Sequence, residues 1–268
     1  MKYLVTNADD FGFTRDVNEG IVEAHRNGIL TATTLMANGA AFHHAVQLAQ
    51  QTPTLDIGCH LVLIGGQSLL DPNRWFPASP WELTQQVITG KLAIYDELAA
   101  QVKRIIKSGI VPTHLDTHKH THLLPPVFRA VCQIAQDFHI PWLRRPIDFP
   151  APVNGEFKQR MTGKLLRSFA PSSPHHGVRH TDHFWGFAVT GCLDTLALAA
   201  VMQHIPDGIT ELMTHPGFLT DELRTAPTRL KESRMIELQA LTSPTVKQAV
   251  ADAGITLVNY RQLNQEAR

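Results

Sequence analysis

Cysteine is scarce in this 268-residue chain. Cys59, Cys132 and Cys192 are isolated from one another, with no CxxC spacing. That argues against a disulfide framework and against a thiolate zinc site. Net charge is absent too, since 24 Lys and Arg balance 24 Asp and Glu and the pI is near 7.3. A chain without positive excess has little attraction for phosphate backbones or anionic lipid, so nucleic acid is not an expected partner. No uninterrupted apolar run reaches the roughly 18 residues of a membrane-spanning helix. The start, "MKYLVTNADD", turns acidic before any signal-peptide apolar region could form. A soluble, cytoplasmic chain is the expectation. Internal repeats and low-complexity linkers are likewise missing.

What the chain does contain is alternation. Short β-branched runs at 2–7, 30–36, 55–64, 111–116, 140–145, 177–184, 208–215 and 254–260 read as strands. Helical patterns at 16–28, 40–51, 95–109, 125–138 and 192–205 lie between them. Strand–helix alternation predicts βαβ units around a parallel sheet. Seven to eight mostly parallel strands predict a single TIM-barrel-like (β/α) domain over residues 1–268. Two stretches break the rhythm. Residues 65–92 are rich in Gly, Pro and Trp, and residues 146–176 are rich in Pro, with a helix predicted at 156–169. Long excursions of this kind serve as lids or binding loops. Trp75 and Trp81 in the first could offer flat stacking faces or pin the loop.

Several predicted strands end in ionisable side chains. The first ends in Asp9 and Asp10, the third carries His60, and the fourth ends at Asp116 and His118. The fifth ends in Arg144 and Arg145, and the seventh in "MTHPG" with His215. In a parallel α/β barrel the carboxyl ends of the strands share one face, where active sites lie. Residues remote in sequence would converge there.

Each has a plainer alternative. The aspartates of "ADDFG" could cap the helix starting near residue 16. Two adjacent carboxylates after a buried strand cannot both be buried unpaired, however, and a metal cation removes that difficulty. His60 alone would pass for a hydrogen-bonded core histidine. In "PTHLDTHKHTHLL", the alternating His114, Asp116, His118, His120 and His122 could be a solvated strand face. Pro125 and Pro126 open a helix, so the strand must stop near Asp116, with His118 at its tip and the later histidines in a loop. Trp185 in "TDHFWGF" is either core packing or a stacking platform for a sugar.

The segments "NADDFGFTRDVNEGIVEAHRNGILTATTLM", "IGCHLVLIGG", "GIVPTHLDTHKHTHLLPPVF", "ITELMTHPGF" and "LTSPTVKQAVADAGITLVNYRQL" span nearly the whole chain. In this order they resemble the YdjC-like carbohydrate deacetylases. The resemblance implies a TIM-barrel-like fold and removal of acetyl groups from N-acetylated sugars with a divalent metal. It places Asp10, His60 and His118 as metal ligands, Asp9 as general base and His215 as general acid. Arg144 falls at a substrate-side arginine, with Arg145 as the neighbouring choice, and Asp116 and Trp185 join them as substrate-side candidates. Two imidazoles and one carboxylate with open positions form a catalytic rather than a structural site. Such donors suit zinc first, with magnesium, nickel or cobalt as alternatives.

The leading expectation is therefore a hydrolase acting on the acetamido group of an amino sugar, in an oligosaccharide or a glycolipid. Another metal hydrolase on the same barrel, such as a phosphoesterase, is the second, although the chain offers no Gly-rich phosphate cradle. The third is a non-catalytic carbohydrate- or metal-binding protein, which would need neither base nor acid. A homodimer is compatible with the pattern, and no residue decides it.

Overall fold

In the computed structural model, residues 1–148 and 177–265 are described. The predicted helix at 156–169, and all but the first residues of the second excursion, lie outside them. Among the described residues eight strands form the sheet: β1 (Lys2–Phe11), β2 (Ala32–Leu35), β3 (Asp56–Leu61), β4 (His114–Thr117), β5 (Trp142–Leu143), β6 (His183–Trp185), β7 (Gly208–Thr214) and β8 (Ile255–Leu257). Their order is β5-β4-β3-β2-β1-β7-β6, with β8 alongside the first residues of β1. Every pairing is parallel. The sheet curls until its two margins meet through the bridges Trp142↔Arg179 and Asp148↔Phe184. This is the TIM-barrel-like α/β architecture that the strand–helix alternation predicts.

The two-residue period of the strands sorts the side chains. Leu4, Ala8, Leu35, Cys59, Leu61, Leu115, Leu143 and Leu212 face outward and join one continuous core with the helices. On that side lie α1 (Arg15–Asn27), α2 (Phe42–Gln51), α4 (Ile94–Lys107) and α5 (Pro125–Asp137), each burying an apolar stripe. Further helices are α3 (Pro80–Ile88), α6 (Thr195–Met202), α7 (Asp221–Thr225), α8 (Glu232–Thr242), α9 (Pro244–Asp252) and α10 (Tyr260–Gln265). The opposite strand faces fill the interior. Val5, Ala32 and Trp142, with Tyr260 and Leu263 of α10, form its apolar floor.

Several elements differ from the sequence expectation. β1 runs on through Phe11, so the aspartates sit within the strand rather than in a turn after it. The expected eighth strand at 254–260 is only Ile255–Leu257, because Tyr260 turns inward to begin α10 and plug the barrel. The expected sixth strand at 177–184 divides into the Arg179 bridge and β6. The first excursion contains α3, and its base is pinned to α4. Ser68 Oγ donates to Glu97 Oε2 at 2.5 Å, and the Leu69 N–H donates to Glu97 Oε1 at 3.0 Å. Trp75 and Trp81 point outward and are exposed. No described helix is long and apolar enough to cross a membrane.

Candidate active site

Above the floor the interior turns polar. His114, from β4, stacks on Tyr260 with ring centroids 4.1 Å apart. Its Nε2 lies 3.0 Å from Asn7 Oδ1 and its Nδ1 2.9 Å from Thr113 Oγ1. Gly58 on β3 makes room for this ring, since a Cβ there would sit 2.5 Å from the His114 carbonyl oxygen and 2.7 Å from ring carbons. His114 thus belongs to the packing beneath the site.

The next layer is ionic. Arg144 is 2 % exposed and touches three carboxylates. Its Nη1 and Nη2 donate to Asp9 Oδ2 and Oδ1 at 2.7 and 2.6 Å. Its Nε donates to Glu211 Oε1 at 2.7 Å, and Nη1 lies 2.7 Å from Asp116 Oδ2. A planar fork engaging both oxygens of a carboxylate is the strong form of this pair. Burial pushes the Asp9 carboxyl up, but Arg144, with His60 and His215, more than offsets it, and the group is held far below the usual carboxylate range.

Strand alternation would send Asp10 to the opposite face from Asp9. The β1–β2 register shifts between Ala8 and Phe11, and Asp10 adopts a left-handed backbone with φ 70°. Bulges and left-handed non-glycine residues concentrate at functional sites. Both carboxylates consequently reach the site, buried at 3 % and 4 % exposure. Neither caps the helix, because Thr14 Oγ1 accepts the Val17 N–H of α1 instead.

Asp10 Oδ1, His60 Nε2 and His118 Nδ1 make a triangle with sides of 3.2, 3.2 and 3.3 Å. Tetrahedral bonds of about 2.0–2.1 Å to zinc require donor separations of about 3.3–3.4 Å. The triangle fits that requirement. Asp10 Oδ1 is buried with no hydrogen bond of its own. His60 Nδ1 lies 2.7 Å from Asp116 Oδ1, and a carboxylate can only accept, so Nδ1 carries hydrogen and Nε2 faces the triangle. Thr34 Oγ1 donates to Asp116 Oδ2 at 3.0 Å and completes this support. Asp9, His60 and Asp116 are a second donor set by distance, but Arg144 already engages both of its carboxylates.

Burial pushes the Asp10 carboxyl up, yet Arg234, His118 and His60 hold it well below its ordinary value. Burial pushes His60 down, while Asp116, Asp10 and Asp9 outweigh it and raise the imidazole to about 10.

His215 follows β7 in the "THPG" turn. Its Nε2 lies 3.9 Å from Asp9 Oδ2, and its backbone N–H donates to Glu237 Oε2 at 2.6 Å. Burial lowers His215 to about 4 against the pull of Asp9 and Asp10. Burial also raises Glu237 to about 7, opposed by the His215 N–H and by Arg234.

The structure thus brings together Asp9, Asp10, His60, Asp116, His118, Arg144 and His215. It leaves Arg145 out of this group, exposed. Trp185 is 1 % exposed within the core, with no ring face open for a sugar to stack on. Asp116 and Arg144 are enclosed by other side chains. His120 and His122 lie in a 3-10 turn, His118–Leu123, with Lys119 and His120 left-handed. His120 packs 4.7 Å from the Phe187 ring, and His122 Nδ1 lies 2.6 Å from Thr117 Oγ1. Arg234 and Glu237 lie outside every motif read in the sequence, and Glu211 lies within "ITELMTHPGF" without being singled out there. Glu211 shares the inward face of β7 with Met213, two residues apart from it, which strand alternation alone could have flagged. Arg234 and Glu237 sit three apart on α8, a spacing that puts both on one helix face.

The fold and the site together define a (β/α)-barrel protein with a two-histidine, one-aspartate donor set at the carboxyl ends of its strands. The chain belongs to the YdjC-like protein family, whose model matches residues 3–252. It is similar to a carbohydrate deacetylase of Brevibacillus brevis, with 35% identity over 97% of this chain and 99% of the relative. A carbohydrate deacetylase of Geobacillus stearothermophilus is 33% identical over 97% of this chain and 98% of its own length. Among solved structures, a putative cellobiose-phosphate cleavage protein from Enterococcus faecalis V583 superposes with a TM-score of 0.76. It is 26% identical and covers 98% of both chains.

Proposed function

We propose that this chain is a metal-dependent carbohydrate deacetylase, which hydrolyses the acetamido group of an N-acetylated amino sugar to acetate and a free amine. The observation that carries the reading is the donor triangle of Asp10, His60 and His118 with Asp9 and His215 beside it. The two relatives named carbohydrate deacetylase support it independently. Asp10, His60 and His118 would hold one divalent ion, zinc first by its donor set, which when bound supplies a Lewis acid to polarise the acetyl carbonyl and acidify water.

The remaining chemistry belongs to the side chains. Arg144 keeps Asp9 ionised across the neutral range, so that Asp9 can accept a proton from the attacking water. The water oxygen bonds to the acetyl carbon, and the carbon–nitrogen bond breaks as the amine takes a proton. His215 is neutral at rest. The proton that Asp9 takes reaches it through a bridging water, because Asp9 Oδ2 and His215 Nε2 lie 3.9 Å apart, beyond direct transfer, and His215 delivers it to the amine. Sugar amines are too basic to depart as anions, so this delivery is required.

The alternative of a phosphoesterase on the same barrel draws no support from the geometry. The two buried guanidinium groups among the described residues, Arg144 and Arg234, are already engaged by carboxylates. A mere binder would have no use for a base and an acid placed beside the donors.

Acetate release from N-acetylglucosamine oligomers, by protein stripped with a chelator and reloaded with zinc, tests the proposal. Reloading should restore release, and Asp9→Asn should lower it about 100-fold or more. Full release by the stripped protein, or by Asp9→Asn, would contradict it.

A further inference from the structure

Two adjacent aspartates are each paired to a buried arginine, and the two pairs are completed differently. Asp9 has both oxygens taken by the Arg144 fork. Asp10 has Oδ2 taken by Arg234 Nη2, while Oδ1 is buried without a hydrogen bond and faces His60 and His118. Arg234 reaches Asp10 from α8 and is 1 % exposed. Its Nε donates to the Leu230 carbonyl at 3.3 Å, and its Cζ lies 5.9 Å from the Phe13 ring centroid. Its own carbonyl accepts the Gly217 N–H at 3.1 Å, and a Cβ on Gly217 would sit 3.3 Å from its Cδ. The guanidinium is held at one place.

We propose that Arg234 is a positioning residue that fixes the denticity of Asp10, confining a bound cation to the single oxygen Oδ1. This rests on the metal-dependent reading above. Carboxylates ligate through one oxygen or both, and a second bond from Oδ2 would close a position that a catalytic site keeps open. By occupying Oδ2, Arg234 keeps that position for water and the acetyl oxygen. It would do so at the expense of cation affinity, because the guanidinium on Oδ2 puts a like charge on the carboxylate that a cation would use.

This predicts a split that a structural defect would not produce. In Arg234→Met, zinc affinity, measured by competition with a chromophoric chelator, should rise about tenfold or more as the neighbouring charge disappears. The kcat for acetate release should fall about 10–100-fold, with KM changed little. The visible absorption of the Co²⁺-substituted protein should weaken as Asp10 takes up two-oxygen ligation. Arg234→Lys, which keeps a cation on Oδ2, should retain the wild-type affinity and Co²⁺ spectrum. If Arg234→Met does not fold, Arg234→Lys alone decides, and tighter zinc binding or an altered Co²⁺ spectrum in it would overturn the proposal. Arg234→Met that binds zinc no more tightly than wild type, or keeps its Co²⁺ spectrum, would also overturn it. Wild-type protein that binds no metal would sink the metal-dependent reading, and this proposal with it.

Discussion

His60 shows how one side chain is set for its task by what lies on either side of it. Asp116 takes the hydrogen on Nδ1, itself held by Thr34 and Arg144, while Nε2 meets Asp10 and His118. With no metal bound, the surrounding carboxylates hold the imidazole protonated up to about pH 10. A metal ligand must be neutral, so binding has to expel that proton. At pH 8, between the ordinary value near 6.5 and the raised one, zinc binding should release about one proton from His60. Calorimetric titrations in buffers of different ionisation enthalpy measure this number. Apparent affinity should rise with pH towards 10, and an affinity that is flat between pH 7 and 9 would contradict the assignment.

At the scale of elements, the strands deliver donors because alternate positions face inward and the parallel sheet puts every carboxyl end on one side. β3 shows the dependence on a single position, since Gly58 gives His114 its space below His60. Gly58→Ala should overpack this layer and cost about 1–3 kcal/mol. Thermal unfolding should show a Tm lower by roughly 2–10 °C. An unchanged Tm would mean that the interior is looser than the contacts indicate. The strand elements and their polar ends were legible in the sequence because apolar runs, the histidine spacing of "HLDTH" and the prolines after it are local signals. α8 was not legible. Its stretch "ESRMIEL" carries no run of apolar residues, and the worth of Arg234 and Glu237 comes only from touching Asp10 and the turn of His215, more than 200 and more than 20 residues away in sequence. The backbone irregularity at Asp10 was hidden as well, because a register shift depends on the partner strand. So was the inward turn of Tyr260, because "ITLVNY" reads as an unbroken strand.

The whole molecule is a barrel layered from bottom to mouth. Tyr260, Trp142 and Leu263 seal the floor, His114 and Asn7 make a hydrogen-bonded step, and Arg144 binds three carboxylates above it. The donor triangle and His215 sit at the top. Each layer fixes the next, so the mouth can hold several buried ionisable groups that no surface loop would keep in register. The triangle is the centre of this account, and its most direct test is zinc stoichiometry. The account predicts one zinc per chain by titration of the wild type, and loss of that binding in both His60→Ala and His118→Ala, with the folded far-UV spectrum retained. Wild-type protein that takes up no zinc, or either variant binding it as tightly as the wild type, would contradict it.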